Sequence, residues 1–144
     1  MIVAERADRD HPRVISLPCH DDARGSLKVM ESGLTVPFPI RRVFFIEGIP
    51  AGAARAGHAH RTTEELIIAL AGVVEITLDY QAGRRHYRLS DSGQALYVPR
   101  RAWLDLDFPL PGTTCLVLAS QPFDEGDYIR DRDAFSALLA SDGD

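Results

Sequence analysis

The strongest constraint on the fold of this sequence is a series of short apolar segments that turn residues interrupt about every eight to twelve positions. Residues 73–80 show the pattern most clearly, because apolar and polar side chains alternate there with a period of two. Successive residues of a strand point to opposite faces, so such a segment can bury one face and expose the other. The pattern predicts an all-β chain whose antiparallel strands form a sandwich or barrel. The expected strands cover residues 13–17, 26–31, 40–49, 65–70, 73–80, 84–89, 94–98, 102–108 and 114–119.

One segment near the C-terminus has the period of a helix instead. Between residues 132 and 140, the apolar side chains of Phe135, Leu138 and Leu139 fall on one stripe. The sequence therefore predicts a jelly roll that ends in a short helix.

The length of 144 residues leaves room for one domain, and no linker or internal repeat divides the chain. We expect a single domain over residues 13–140, with residues 1–12 and 141–144 as flexible termini.

Composition and charge exclude several classes of protein. The formal net charge is −5, and lysine and arginine are spread along the chain, which argues against a nucleic-acid partner. No apolar run approaches the roughly 20 residues of a membrane span, and residues 1–12 lack the apolar core of a signal peptide. Cys19 and Cys115 lie far apart and are expected to be free, buried thiols. These features predict a cytoplasmic protein with no membrane partner.

The segment that carries chemistry runs from residue 52 to residue 72 and reads GAARAGHAHRTTEELIIALAG. On a strand, His58 and His60 would project from the same face, because they are two residues apart. A turn at residues 61–63 would bring Glu65 back on the neighbouring strand, close to both imidazoles. Two imidazoles and a carboxylate on one interior face can bind a divalent metal or perform acid–base chemistry.

This segment resembles the first motif of the cupin proteins, and it matches that motif at Gly52, His58, His60, Glu65 and Gly72. The resemblance predicts a cupin-type double-stranded β-helix, or jelly roll, with the site in its interior.

The second cupin motif is only partly present. Gly93 and Pro99 fit it, but Arg101 stands in place of a glycine and Leu104 in place of the third histidine. A leucine cannot coordinate a metal, so the set of three histidines and a glutamate is incomplete. A triad of His58, His60 and Glu65 remains open as a metal site.

Further segments resemble the WxcM-like sugar 3,4-ketoisomerases, a cupin family that acts on dTDP-4-keto-6-deoxyglucose. The resemblance extends from about Asp21 to Phe135, and its C-terminal part is the most selective. The matching segments are IRRVFFI at 40–46, HAHR at 58–61, YVP at 97–99, Trp103, LVLAS at 116–120 and DEGDYIR at 124–130.

The resemblance implies a homodimer that moves the keto group of a dTDP-4-keto-6-deoxyhexose from C4 to C3 without a metal or a redox cofactor. A histidine would remove the proton from C3, and the resulting enediolate would be reprotonated at C4. The family's histidine pair falls on His58 and His60, of which His60 is expected to be the base and His58 its partner. The substrate-binding residues implied are Arg24, Arg55, Glu65, Tyr97 and Trp103.

Residues in three segments depart from the family pattern. Phe44 and Phe45 stand where a tyrosine is usual, Leu104 where a histidine is common, and Glu65 where glutamine is common. Two alternatives therefore stay open beside the isomerase. One is a metal-dependent cupin that uses His58, His60 and Glu65, and the other is a cupin that binds a sugar without catalysis. The gluco or galacto configuration of the product, the base of the nucleotide and the pathway also stay open.

Overall fold

The computed structural model of the chain describes residues 9–142, excluding the side chain of Asp142. Residues 1–8 and 143–144, which belong to the termini expected to be flexible, lie outside this range. Within it, a short 3-10 helix covers Glu125–Asp127 and one α-helix, α1, covers Arg132–Asp142. The strands are β1 (Arg13–Ser16), β2 (Cys19–Asp22), β3 (Gly25–Lys28), β4 (Arg42–Ile46), β5 (Ala53–His60), β6 (Glu65–Ala71), β7 (Val74–Tyr80), β8 (Gly83–Leu89), β9 (Gln94–Val98), β10 (Trp103–Phe108), β11 (Thr114–Ala119) and β12 (Tyr128–Ile129).

The strands form two five-stranded sheets and a separate hairpin. The first sheet has the order β1-β9-β6-β11-β4, the second has the order β12-β5-β10-β7-β8, and β2 pairs with β3. Neighbouring strands in all three are antiparallel. The predicted all-β architecture with a C-terminal helix is therefore confirmed.

The main core lies between the two five-stranded sheets. Ile76 and Leu78 of β7 pack in one cluster with Ile67 of β6 and Val117 of β11. Strand β7 buries every second residue, as its alternation predicts. Burying one such aliphatic side chain contributes on the order of 1.5–3 kcal/mol, so the alternating face largely determines how the sheets pack.

The first sheet also carries a smaller core on its outer face. There Leu66 and Ile68 of β6, together with Tyr97 of β9, pack under Val36 and Phe38 from the segment before β4. Strand β6 is thus covered on both faces, which explains its nearly continuous apolar sequence.

Helix α1 covers part of the second sheet. Phe135 packs on Trp103, Ala59 and Ile129, and the two aromatic ring centroids are 5.7 Å apart. The helix runs two residues beyond the predicted end at residue 140.

Two details differ from the sequence-based expectations. The polar strand β2 is not among the expected strands, because its sequence CHDD has no apolar alternation. Both cysteines are free, but only Cys115 is buried, whereas Cys19 is exposed at the start of β2.

Among residues 9–142, no helix is long and apolar enough to cross a membrane.

We expect the substitution Gly72→Ala to lower the free energy of unfolding by about 2–4 kcal/mol. The backbone of Gly72 has φ +79°, and an added Cβ would lie 2.7 Å from Cα of Thr113. Gly112 is the matched control, since it has φ +78° but no heavy atom within 4 Å of the added Cβ. Gly112→Ala should cost only about 1–2 kcal/mol in urea unfolding. Equal losses in both variants would contradict the steric explanation.

Candidate active site

A β-bulge in β5 aligns the first residues of the site. In the pairing of β5 with β10, Arg55 lies opposite Leu106 and His58 lies opposite Leu104, with a register shift between the two pairs. Gly57 and the non-glycine residue Ala56 both have positive φ there. Because the bulge adds one residue, Arg55 and His58 share a face although they are three residues apart. The bulge therefore brings a guanidinium to the same cavity as the imidazole.

The two histidines lie side by side, as their spacing predicts. The ring centroids of His58 and His60 are 4.9 Å apart. The ring of Tyr128, from β12, lies 4.9 Å from that of His58 and 4.4 Å from that of His60. Strand β12 pairs with the end of β5, with Tyr128 opposite His60, and so closes an aromatic wall over the pair.

Glu65 lies close to His60, as predicted, but its strand is not the neighbour of β5. Its Oε2 lies 3.6 Å from Nε2 of His60, and both side chains are almost fully buried. However, β6 pairs with β11 and β9 in the first sheet, not with β5. The turn at residues 61–63 therefore crosses from one sheet to the other, and the carboxylate faces the imidazole across the core.

Asp127 is a member of the site that the sequence reasoning missed. Its Oδ2 lies 3.0 Å from Nδ1 of His60 and also accepts a hydrogen bond from Oγ1 of Thr63. Its Oδ1 accepts hydrogen bonds from the backbone N–H and the hydroxyl of Thr62, both at 2.7 Å. Burial acts to raise the pKa of Asp127, but the hydrogen bonds from Thr63 and Thr62 outweigh it and lower that pKa. An ionised carboxylate thus holds the inner nitrogen of His60.

His58, Glu65 and Tyr128 border a cavity of about 250 Å³ between the two sheets. Seven of the twelve lining residues are apolar, and the polar groups come from β5, β6 and the segment around β12. The lining residues are Phe44, Ile46, Arg55, Ala56, His58, Glu65, Ile67, Leu104, Leu106, Val117, Tyr128 and Arg130.

The electrostatics of His58 suit a proton acceptor. Its Nε2 is buried and has no hydrogen-bond partner among residues 9–142. Burial lowers the pKa of His58, and the neighbouring His60 lowers it further. A neutral imidazole with an open nitrogen beside a cavity can take a proton from a bound molecule.

Two arginines give the cavity a positive charge. Arg55 and Arg130 both line it, and the guanidinium of Arg130 lies 4.4 Å from the ring centroid of Tyr128. Arg130 also donates to the carboxylate of the exposed Glu125 at 2.9 Å. Guanidinium groups bind phosphate oxygens well, so this side of the cavity fits an anionic ligand.

Comparison with known proteins identifies the family of the chain. A family model described as FdtA, WxcM-like, C-terminal matches residues 10–140. The chain belongs to this family. It is 32% identical over 128 residues to the TDP-4-oxo-6-deoxy-alpha-D-glucose-3,4-oxoisomerase of Aneurinibacillus thermoaerophilus, covering 89% of this chain and 92% of that protein.

The chain also resembles solved structures of sugar ketoisomerases. The sugar 3,4-ketoisomerase QdtA of Thermoanaerobacterium thermosaccharolyticum, in complex with TDP, matches with a TM-score of 0.86 and 29% identity over 91% of this chain and 96% of QdtA. The TDP-quinovose 3,4-ketoisomerase WlaRB of Campylobacter jejuni matches with a TM-score of 0.83 and 31% identity over 87% and 96% of the two chains. The cupin-type jelly roll of the FdtA family is thus confirmed for this chain.

Three of the residues that the resemblance to the FdtA family implied lie outside this cavity. Tyr97 lies on the outer face of the first sheet, where its hydroxyl donates to the carboxylate of Glu64 at 2.6 Å. Trp103 lies beneath helix α1, with the guanidinium of Arg132 4.6 Å from its ring centroid. Arg24 lies in the β2–β3 turn, exposed and paired with Asp22 at 2.6 Å. Of the predicted residues, the cavity therefore includes Arg55, His58 and Glu65, with His60 directly behind.

The metal-dependent alternative has no support in this arrangement. Within the described part of the chain, no three His, Cys, Asp or Glu side chains are grouped so that they could hold one metal ion. His60 in particular directs Nδ1 toward Asp127 and Nε2 toward Glu65.

Proposed function

We propose that the chain is a 3,4-ketoisomerase, which moves the keto group of a TDP-linked 4-keto-6-deoxyhexose from C4 to C3. The observation that carries the proposal is the open Nε2 of His58 beside a cavity that also holds two guanidinium groups. This reaction needs a general base that can accept a proton around neutral pH, and it needs cationic groups that bind an anionic substrate. The names of the relatives support the same substrate class.

The test of this function is incubation with TDP-4-keto-6-deoxyglucose in deuterated water, followed by NMR of the ring protons. The expected result is loss of the C3 proton signal together with formation of a 3-keto product. An enzyme that binds TDP but neither exchanges C3 nor forms product would overturn the proposal and leave the non-catalytic, sugar-binding alternative.

The division of roles between the two histidines is part of this proposal. His58 borders the cavity, whereas His60 is held from behind by Asp127. These contacts support His58 as the base that removes the C3 proton and His60 as its partner, the reverse of the roles expected from the sequence. The intermediate with the C3–C4 double bond would lie beside Leu104 and Leu106, whose apolar side chains limit the access of water.

Arg130 and Arg55 are proposed to hold the diphosphate of the substrate. They line the cavity beside His58, and charge-assisted hydrogen bonds to phosphate would orient the sugar toward its imidazole. We expect Arg130→Gln to raise KM about tenfold or more while changing kcat little, because binding is lost equally from the ground state and the transition state. Steady-state kinetics would measure both constants. A fall in kcat at unchanged KM would contradict the binding role.

The pH dependence should show the depressed pKa of His58. The base must be neutral, so kcat/KM should fall as the pH drops through the pKa of His58 in the free enzyme. Because burial and His60 lower that pKa from 6.5, the acid limb should lie below pH 6.5. A pH–rate profile of kcat/KM measures it directly. An acid limb centred above pH 6.5 would argue that another group is the base.

We also propose that the chain acts as a homodimer in the cytoplasm. Val43 and Phe45 of the edge strand β4 leave 56% and 59% of their surface exposed, an apolar face that a second copy can cover. The free thiols of Cys19 and Cys115 support a reducing compartment. Light scattering should give the mass of two chains, and cell fractionation should place them with cytoplasmic markers. The mass of one chain or a membrane-bound fraction would refute the respective part.

A further inference from the structure

Glu65 presents a carboxylate to the cavity, and no hydrogen bond from the described residues 9–142 fixes it. The residue is only 3% exposed, and it lines the cavity between the two sheets. Among residues 9–142, its side chain forms an ion pair with Nε2 of His60 at 3.6 Å, which is longer than a hydrogen bond. A carboxylate in such a place can take up and release a proton without first breaking a strong hydrogen bond.

The protons on His60 follow from its two neighbours. Nδ1 faces the carboxylate of Asp127 at 3.0 Å. Both oxygens of this carboxylate act as hydrogen-bond acceptors, so Nδ1 is the donor in this contact and carries a proton. If Nε2 and Glu65 both lacked a proton, a nitrogen lone pair would face a negative oxygen in a buried place. Nε2 of His60 and the carboxylate of Glu65 are thus placed so that one proton can pass between them.

The proposed isomerisation needs two proton movements, and His58 performs only one of them. It carries the carbon-bound proton from C3 to C4. The hydroxyl proton must also leave O3 and a proton must arrive at O4, so a second proton carrier is required. In this chain the residue opposite His58 is Leu104, which supplies no imidazole.

We propose that Glu65, paired with His60, is the second catalytic group and carries the hydroxyl proton from O3 to O4. This inference rests on the proposed function. In the first step the C3–H bond breaks toward His58, the C3–C4 double bond forms, and the His60–Glu65 pair gives its proton to O4. In the second step the pair takes the proton from O3, the C3–O3 double bond forms, and His58 returns its proton to C4. The pair and His58 end with the protons they began with, and nothing is oxidised or reduced except the two sugar carbons.

Tyr128 is the competing carrier, because its side chain also lines the cavity and bears a hydroxyl. Its ring is already stacked with the guanidinium of Arg130 and lies against both imidazoles. Removing its hydroxyl therefore separates a proton-carrying role from a packing role.

The experiment compares Glu65→Gln with Tyr128→Phe and with the control Glu64→Gln in the full chain. Glu64 is the adjacent buried glutamate, but its carboxylate is bound by Arg9 and the hydroxyl of Tyr97 on the outer face of the sheet. Each variant is assayed in deuterated water for C3 exchange and for conversion of TDP-4-keto-6-deoxyglucose. Thermal unfolding and TDP binding establish that each variant is folded.

In Glu65→Gln we expect conversion to fall by about 10²–10³-fold, because an amide cannot carry a proton. C3 exchange should persist, so that the ratio of exchange to conversion rises at least about tenfold, since His58 still removes and returns the C3 proton. Glu64→Gln and Tyr128→Phe should keep the wild-type ratio. A Glu65→Gln ratio equal to wild type, or a ratio that rises in Tyr128→Phe instead, would overturn the inference while leaving the isomerase intact. Wild-type enzyme that neither exchanges nor converts the substrate would overturn the proposed function and this inference together.

Discussion

Replacing His58 with asparagine is expected to lower the rate of C3 proton exchange by about 10²–10⁴-fold, the usual contribution of a positioned general base. The side chain keeps a similar size but loses the basic nitrogen, and Nε2 of His58 is the open nitrogen at the cavity. Binding of TDP should stay within about threefold of wild type, because Arg55 and Arg130 are untouched. NMR in deuterated water measures the exchange, and calorimetry with TDP measures the binding.

The matched control for this prediction is His60→Asn. His60 lies one step behind the cavity, with its Nδ1 bound by Asp127, so this variant should slow conversion but retain more C3 exchange than His58→Asn. The opposite ranking, with exchange lost in His60→Asn and kept in His58→Asn, would return the role of base to His60.

Asp127→Asn is expected to cost about 2–4 kcal/mol of unfolding free energy. The carboxylate accepts hydrogen bonds from Thr62, Thr63 and His60, and an amide can replace only one of its two oxygens. The –NH₂ group then faces donors that remain buried and unsatisfied. The same change frees the ring of His60, so kcat should also fall. Urea unfolding and steady-state kinetics measure the two effects.

The difference in unfolding free energy between wild type and Asp127→Asn should depend on pH. The folded-state pKa of Asp127 is lowered, so its contribution to stability is present above the unfolded value of about 3.9 and is lost as the pH falls through the folded value. The gap between wild type and Asp127→Asn should therefore narrow below about pH 4. Asp124→Asn is the control, because Asp124 is exposed and accepts only from the backbone N–H of Gly126 among the described residues. Equal losses in both variants would show that Asp127 has no special structural role.

Residues that lie close together along the chain could be assigned from the sequence. The alternation of β7 predicted its buried face, and the spacing of His58 and His60 predicted that their rings lie together. Glu65 was placed near them because a short turn leaves little freedom to the chain. That its strand belongs to the other sheet was not predicted, because strand order depends on pairings distant in sequence.

The two predicted aromatic residues show where residue type alone misleads. Trp103 and Leu104 are neighbours on β10, yet Leu104 lines the cavity and Trp103 packs under helix α1. Tyr97 is fully buried on the outer face of its sheet. An aromatic side chain is favourable on either face of a covered sheet, so only the strand's register decides which face it occupies.

Asp127 and Arg130 show the same limit for polar residues. Both stand in the DEGDYIR segment that carried the family resemblance, but only the pairing of β12 with the end of β5 brings them to the histidines. Arg55 reaches the cavity because a bulge shifts the register by one residue.

The sequence by itself determined the all-β fold, the His58–His60 pair and the family, because each is encoded in local periodicity or in a short motif. The tertiary structure decided which imidazole lines the cavity, which carboxylate holds His60 and which aromatic residues stay in the core. Those features depend on contacts between residues as many as 67 positions apart, such as His60 and Asp127. Such contacts arise only when strands of both sheets pack around one cavity. The alternation of side chains along a single strand does not predict them.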